Sequence, residues 1–149
     1  METQCTPSQL EFHAIGQREI VGKFDGGNIT SDAGGLLLRE TEKRTGIVQG
    51  FAQCFKDLRN PELIEHTVTE LISQRVYGLA LGYEDLNDHD ELRRDPLLAV
   101  LVGKEDPEGN DRVRPQDKGK AMAGKSTLNR LELTTAQPTA AELRYKKSS

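Results

Sequence analysis

The sequence contains no tryptophan, only two cysteines and no long apolar run. Its longest apolar run, LLAVLV at residues 97–102, is far shorter than the roughly eighteen residues that a membrane-spanning helix needs. The N-terminal residues METQCTPSQLEFH have neither a basic start nor an apolar centre, so we expect no secretory signal peptide. Cys5 and Cys54 stand far apart without metal-ligand spacing around either, which predicts two free thiols in a reducing cytoplasm.

Apolar residues are scarce as well, because hydrophobic types make up 35% of the 149 residues and charged types 30%. A chain of this length can build one domain with its own core, but not two. So low an apolar content predicts that part of the chain does not pack on its own.

Charge is divided unevenly between the two ends of the chain. Residues 1–111 carry 11 Lys and Arg against 21 Asp and Glu, a charge of −10, and residues 112–149 carry 9 against 3, a charge of +6. A basic segment that follows an acidic body suggests a polyanionic partner for that segment. The alternative is a solvated linker, which composition alone favours.

Turn and capping residues divide the chain into four parts. We predict a polar tail at 1–18, a β-turn plus helical domain at 19–103, a linker or mobile loop at 104–124, and a short helix with a basic tail at 125–149. The expected fold class is therefore mainly α with a short N-terminal β element.

The β element and the first helix are predicted from local patterns. Ile20, Val21 and Phe24 indicate a short strand that enters a glycine-rich turn at residues 25–28. Ser31 and Asp32 can then cap a helix over residues 33–44.

Two further helices have stronger signals. Asn60 is a good N-cap for a long helix over residues 60–82, where apolar residues recur at helical spacing. Asp95 and Pro96 indicate the start of a short helix that Gly103 ends. Because this last helix is apolar all round, we expect it to be buried.

The segment 83–96, YEDLNDHDELRRDP, crowds acidic residues around one histidine and suggests either a metal site or helix caps. A calcium loop counted from Asp85 needs glycine at its sixth position and a carboxylate at its twelfth, but the chain has Asp90 and Pro96 there. His89 alone cannot supply the ligands of a structural zinc site. We therefore expect helix caps at Asn87 and Asp95 and ion pairs from the arginines at 93 and 94.

The pattern GKAMAGKS contains the spacing of a phosphate-binding P-loop, with Gly119, Gly124, Lys125 and Ser126 at the required positions. A P-loop also needs a buried strand before it. The residues before Gly119 are polar and include Pro115, so we expect no nucleotide partner.

The segment AGKSTLNRLE predicts a helix that begins with Ser126 as its N-cap. Such a helix can meet a DNA backbone or groove with its first turn, although an ordinary amphipathic helix held by Leu128 and Leu131 explains the pattern as well. If DNA binds here, the expected contacts are Lys118, Lys120, Lys125, Ser126, Thr127, Asn129 and Arg130.

Three of these stretches together resemble the N-terminal part of an insertion-sequence transposase of the DDE group 1 family. They are FDGGNITSDAGGLLLRE (24–40), DLRNP with the helix and acidic segment that end in QRVYGLALGYEDLNDHDELRRDPLLAVLVG (74–103), and AGKSTLNRLE (123–132). The resemblance implies DNA transposition as the function and transposon ends as the partner.

Relatives in this family have a ribonuclease-H-like α/β catalytic domain in which three acidic residues bind divalent metal, expected to be magnesium. The resemblance places the first of those residues after the STLNRLE-like segment, so we carry over no catalytic residue and expect no metal or other cofactor in this chain. An alternative is a non-catalytic remnant that pairs with intact transposase or with itself through the helix at 60–82.

Overall fold

A computed structural model of the protein describes residues 9–23, 25, 30–57 and 59–133. The strands are β1 (Gln9–Ile15) and β2 (Arg18–Lys23), and the helices are α1 (Gly35–Thr45), α2 (Ile47–Ala52), α3 (Val68–Ala80), α4 (His89–Leu92), α5 (Pro96–Val102) and α6 (Lys125–Glu132). Short 3-10 turns lie at Pro61–Leu63, Leu86–Asp88 and Pro115–Asp117. In this part of the chain the expectation of a mainly α fold with a short β element is confirmed.

The β element is longer than the sequence predicts. β1 and β2 pair antiparallel with Phe12 opposite Ile20, and Gly16 adopts a φ of 56° in the connecting turn. Both apolar residues pack against the core cluster of Leu36 and its neighbours. The prediction of a polar tail over residues 1–18 is therefore wrong for residues 9–18, because QLEFHAI at 9–15 alternates polar and apolar residues and pairs as a strand. The turn predicted at 25–28 falls largely outside the described residues.

Two contacts fix the hairpin to α1. The Arg39 guanidinium, which is 3% exposed, donates hydrogen bonds to the carbonyls of His13 at 2.7 Å and Ala14 at 3.4 Å. The carboxylate of Glu40 accepts a hydrogen bond from the His13 backbone N–H at 2.9 Å. The predicted capping of α1 by Ser31 and Asp32 side chains is wrong, because Gly34 is the N-cap and no side chain bonds there.

α3 runs through the centre of the fold and begins later than predicted. The Asn60 side chain caps only the 3-10 turn at Pro61–Leu63, and Ile64 is then extended. Thr67 and Glu70 form a reciprocal capping box that starts α3 at Val68. Leu71, Ile72 and Tyr77 of α3 are buried within the chain, whereas Leu79 is 47% exposed. Pairing with another protein through this helix stays a prediction.

α5 follows the prediction closely. The Asp95 carboxylate accepts a hydrogen bond from the Leu97 N–H at 2.8 Å, and Gly103 ends the helix with a φ of 91°. Leu98 and Leu101 are buried in the cluster that also contains Tyr77 and Leu36. The described part of the chain has no helix of the length and apolar character that crossing a bilayer requires.

Residues 104–124 pack on the body, and the prediction of a linker or mobile loop is wrong for them. Ala121, Met122 and Ala123 are each at most 3% exposed and lie against α5 and α3. The segment is irregular apart from the turn at Pro115–Asp117, as its glycines and prolines predict. Its burial depends on partners far away in the sequence. The basic tail predicted after the short helix lies outside the described residues.

Candidate nucleic-acid interface

α6 begins two residues earlier than predicted, with Gly124 rather than Ser126 as its N-cap. The backbone of Gly124 lies so close to α4 that a Cβ atom there would stand 2.9 Å from Arg93 Nη1 and 3.0 Å from Asp90 Oδ1. This approach lets Asp90 Oδ1 accept a hydrogen bond from the Lys125 N–H at 3.1 Å. The Asp90 carboxylate, from another segment, therefore accepts a hydrogen bond from one of the backbone N–H groups that have no partner within the first turn of α6. Negative charge is favoured at this end of a helix.

The Lys125 side chain is engaged by the same acidic segment. Its Nζ lies 3.0 Å from Asn87 Oδ1 and 3.5 Å from Asp90 Oδ2, while half of the side chain stays exposed. The hydrogen bond from the Lys125 N–H, with help from Arg93 and the Lys125 ammonium, lowers the pKa of Asp90. Lys125 thus has an internal anionic partner, which sequence reasoning missed because the two residues are 35 positions apart.

A buried amide connects α3 to the residue before Gly124. Gln74, which is 1% exposed, donates from Nε2 to the Ala123 carbonyl at 2.8 Å and accepts at Oε1 from the Ala123 N–H at 3.1 Å. Gln74 Nε2 also lies 3.1 Å from Nδ1 of His89. Gln74 therefore positions the backbone that enters α6.

His89 fills the space between α3 and α4 and is fully buried. Its ring packs on Gly78, where a Cβ atom would come within 2.9 Å of Cε1. Burial lowers the pKa of His89, and its Nε2 has no hydrogen-bond partner among the described residues. The histidine that the acidic segment offered as a metal ligand is thus a neutral packing residue.

The remaining acidic residues act mainly as helix caps, as expected. Asp85, and not the predicted Asn87, caps the turn at Leu86–Asp88. Arg94 pairs with Glu91 at 3.2 Å, whereas Arg93 donates instead to the backbone carbonyl of Asp90. Within the described ranges, no group of three or more His, Cys, Asp or Glu residues is arranged to hold a metal ion.

The α6 residues predicted to contact DNA are divided between the surface and the core side. Ser126, Asn129 and Arg130 are exposed at helical spacing, whereas Thr127 is half-buried. Leu128 is fully buried on the opposite side, against Leu71 and Ala123. α6 thus has an apolar inner side and a polar outer face that could lie against a phosphate backbone.

Lys118 and Lys120 lie before α6. Lys118 Nζ donates to the Asn110 carbonyl at 2.6 Å, and Lys120 Nζ donates to the Gln116 carbonyl at 2.5 Å. The Lys120 ammonium group also lies 4.0 Å from a carboxylate oxygen of Asp117, and the Lys120 side chain is 20% exposed. The turn before Gly119 is a 3-10 turn rather than the strand that a P-loop requires.

Arg112 belongs to the basic part of the sequence, yet it is directed inward. Its guanidinium donates to Glu65 Oε2 at 2.7 Å, to the Lys120 carbonyl at 2.8 Å and to His66 Nε2 at 2.9 Å. His66 is 6% exposed, and burial together with the charges of Lys104 and Arg112 lowers its pKa to about 3. No local pattern in the sequence marks this cluster.

The low pKa of His66 predicts a loss of stability in mild acid. Its ordinary pKa is 6.5. Below that pH the unfolded chain binds a proton that the folded chain excludes, so stability is complete above pH 6.5 and decreases as the pH falls toward the folded pKa. We expect a decrease of about 1.4 kcal/mol per pH unit for each such histidine. Urea unfolding between about pH 6.5 and 4.5, above the carboxylate range, measures this decrease.

His66→Gln is the matched variant, since an amide oxygen can still accept from Arg112. This variant should lose stability less steeply with falling pH than the unmodified protein, because His66 no longer takes up a proton on unfolding. If the free energy of unfolding changes equally with pH in the two proteins, His66 is not a source of the acid sensitivity. Above about pH 7 the free energy of unfolding should hardly change with pH in either protein.

A family model for the transposase DDE domain, group 1, matches residues 12–148. No curated protein and no solved structure matches the chain. The family match covers the hairpin, all six helices and the acidic segment, so it confirms the resemblance that those stretches indicate and assigns the chain a role in transposition. Because the match spans nearly the whole sequence, the protein belongs to the transposase DDE domain group 1 family.

Proposed function

We propose that this chain is the part of a DDE transposase that binds and positions DNA, with the outer face of α6 and the preceding lysines against the phosphate backbone. The observation that carries the proposal is the polar outer face of α6, which is held rigidly from behind by Leu128 and the Gln74–Ala123 hydrogen bonds. Phosphate contacts of this kind fix the position of DNA without reading its sequence.

The charge of this region supports the same proposal. Lys118 is exposed and bonded to a neutral carbonyl, so its ammonium group can still attract a polyanion. Lys120 contributes less, because its ammonium group lies 4.0 Å from an Asp117 carboxylate oxygen and its side chain is 20% exposed. Lys125 reaches DNA only by leaving Asp90, and we therefore expect weak, salt-sensitive binding. Transposon ends are the DNA that the family membership suggests.

We also propose that the transposase has a ribonuclease-H-like, magnesium-dependent catalytic core, and we assign none of its catalytic residues to the part of the chain that the structure describes. The carboxylates of Asp85, Asp90, Glu91 and Asp95 are engaged in caps and ion pairs, and His89 is buried. We therefore derive no cleavage step from them.

Fluorescence anisotropy with a labelled DNA duplex, measured from about 50 to 200 mM salt, tests the DNA contact. Replacing Lys125 and Arg130 together with alanine should weaken binding on the order of tenfold at the lower salt concentration, because two phosphate contacts are removed. The matched control is Lys43→Ala with Arg44→Ala, which removes the same charge from the end of α1.

The control should bind DNA as the unmodified protein does. An equal loss in both double variants would show attraction by net charge alone. No loss in either would contradict the assignment of α6. A circular dichroism melt of each variant confirms that folding is retained.

A further inference from the structure

α2 has an apolar face that is directed away from the core. Ile47 and Phe51 of α2 are 69% and 51% exposed, and Phe55, in the turn that follows Ala52, is 37% exposed. The three residues follow one another at intervals of four. The rings of Phe51 and Phe55 meet edge to face with centroids 5.2 Å apart. The opposite face of α2 packs on α3 through Val48 and Ala52. We call the outward residues Ile47, Phe51 and Phe55 the α2 face.

The α2 face is held in a fixed conformation. The Glu42 carboxylate accepts hydrogen bonds from the N–H groups of Val48 at 2.8 Å and Gln49 at 3.0 Å, which anchors the start of α2 to the end of α1. A rigid contiguous apolar surface that remains in water is a mark of an interaction site.

Cations flank the α2 face at both ends. Lys43 and Arg44 end α1 just before Ile47, and Lys56 directly follows Phe55. Among the residues that the structure describes, none forms an ion pair with these three side chains. Glu42 is hydrogen-bonded to the α2 backbone, and Asp57 pairs with Arg59 at 2.7 Å. Both ends of the face therefore have cationic side chains that can pair with a carboxylate.

We propose that the α2 face is a docking surface for an acidic amphipathic helix of a partner protein. Apolar side chains spaced by three and four residues on such a helix would cover the α2 face, and its carboxylates would meet Lys43, Arg44 and Lys56. The same charges disfavour other occupants. A second copy laid face to face would bring cations against cations, and the chain's own residues 144–147, RYKK, are basic.

Single-stranded DNA fits the α2 face less well. Stacking of bases requires open aromatic faces, yet Ile47 has no ring, and the edge of one phenylalanine covers a face of the other. The aliphatic side chain of Ile47 and the two edge-to-face rings favour packing of a helix on this surface.

A labelled synthetic helix of about three heptads, with leucine at positions a and d and glutamate elsewhere, is the probe. We expect the full chain to bind it at least tenfold more tightly than a helix with the same leucines and lysine in place of glutamate. Phe51→Ala should weaken binding on the order of tenfold. Val113→Ala, which removes an 83% exposed apolar side chain elsewhere, should leave it unchanged.

Three outcomes would overturn the proposal. The first is that the chain binds the acidic and basic helices with equal affinity, or that the Phe51→Ala and Val113→Ala proteins bind the acidic helix with equal affinity. The second is a doubling of mass in light scattering that Phe51→Ala abolishes, which would identify a second copy as the occupant. The third is binding of labelled oligo(dT) that Phe51→Ala abolishes, which would identify a nucleic acid.

The two double variants used for DNA binding separate this proposal from the proposed function. Lys43→Ala with Arg44→Ala should weaken binding of the acidic helix and leave binding of duplex DNA unchanged. Lys125→Ala with Arg130→Ala should weaken binding of duplex DNA and leave binding of the acidic helix unchanged. Both replaced side chains of each double variant are exposed. A thermal melt by circular dichroism confirms that each variant folds.

Discussion

Gln74→Ala is expected to lower the free energy of unfolding by about 3 kcal/mol, because it leaves the N–H and C=O of Ala123 buried without partners. Ala123 is 2% exposed, so water does not readily replace the lost amide. The substitution also removes the only neighbour that bonds to Nδ1 of His89 in the described structure. Urea unfolding at neutral pH measures the change.

Gln49→Ala is the control for this variant, since Gln49 lies on the exposed side of α2 and should change stability by less than about 0.5 kcal/mol. A loss of less than about 1 kcal/mol for Gln74→Ala would mean that solvent satisfies the Ala123 backbone. The segment before α6 would then not depend on α3 for its position.

Leu128→Ala is expected to destabilise the fold by about 2–5 kcal/mol, since it leaves a cavity at a fully buried position. Leu128 packs against Leu71 and Ala123 and is the main apolar anchor of α6. Because the total stability of a domain is about 5–15 kcal/mol, this loss is a large part of it. Chemical denaturation measures the shift, and hydrogen exchange at α6 amides shows whether the helix separates from the body before global unfolding.

Leu133→Ala is the matched control, because Leu133 is 68% exposed just after the same helix. Its effect should be within about 0.5 kcal/mol. Similar losses for Leu128→Ala and Leu133→Ala would contradict the inward orientation of Leu128. Protection of α6 that is unchanged in Leu128→Ala would show that Gln74 is the stronger attachment.

Elements with complete local signals were predictable from sequence. α5 has Asp95 at its N-cap, Pro96 in the first turn and Gly103 in a left-handed conformation after its end, and all three act as predicted. α3 shows the limit of the same reasoning. Asn60 and Thr67 are both good N-caps, and only the extended backbone at Ile64 decides that the α-helix begins at the second.

The features that sequence reasoning missed depend on contacts between distant residues. The strand β1 is the exception, because QLEFHAI alternates polar and apolar residues and this local pattern could have indicated a strand. Its pairing with β2 and the packing of Phe12 against the core still depend on distant residues. Residues 121–123 are buried because α3 and α5 offer surfaces to them. The acidic segment and α6 were both identified as notable, but only the fold shows that Asp90 binds the start of α6.

The Asp90–Lys125 contact changes what a salt titration of DNA binding would report. A lysine that is free in solution releases a condensed counterion from DNA when it binds a phosphate, and each such contact steepens the salt dependence. Lys125 instead carries a counterion of its own, so its transfer to phosphate also frees a carboxylate that takes up solvent cations. The slope would then undercount the phosphates that the protein contacts.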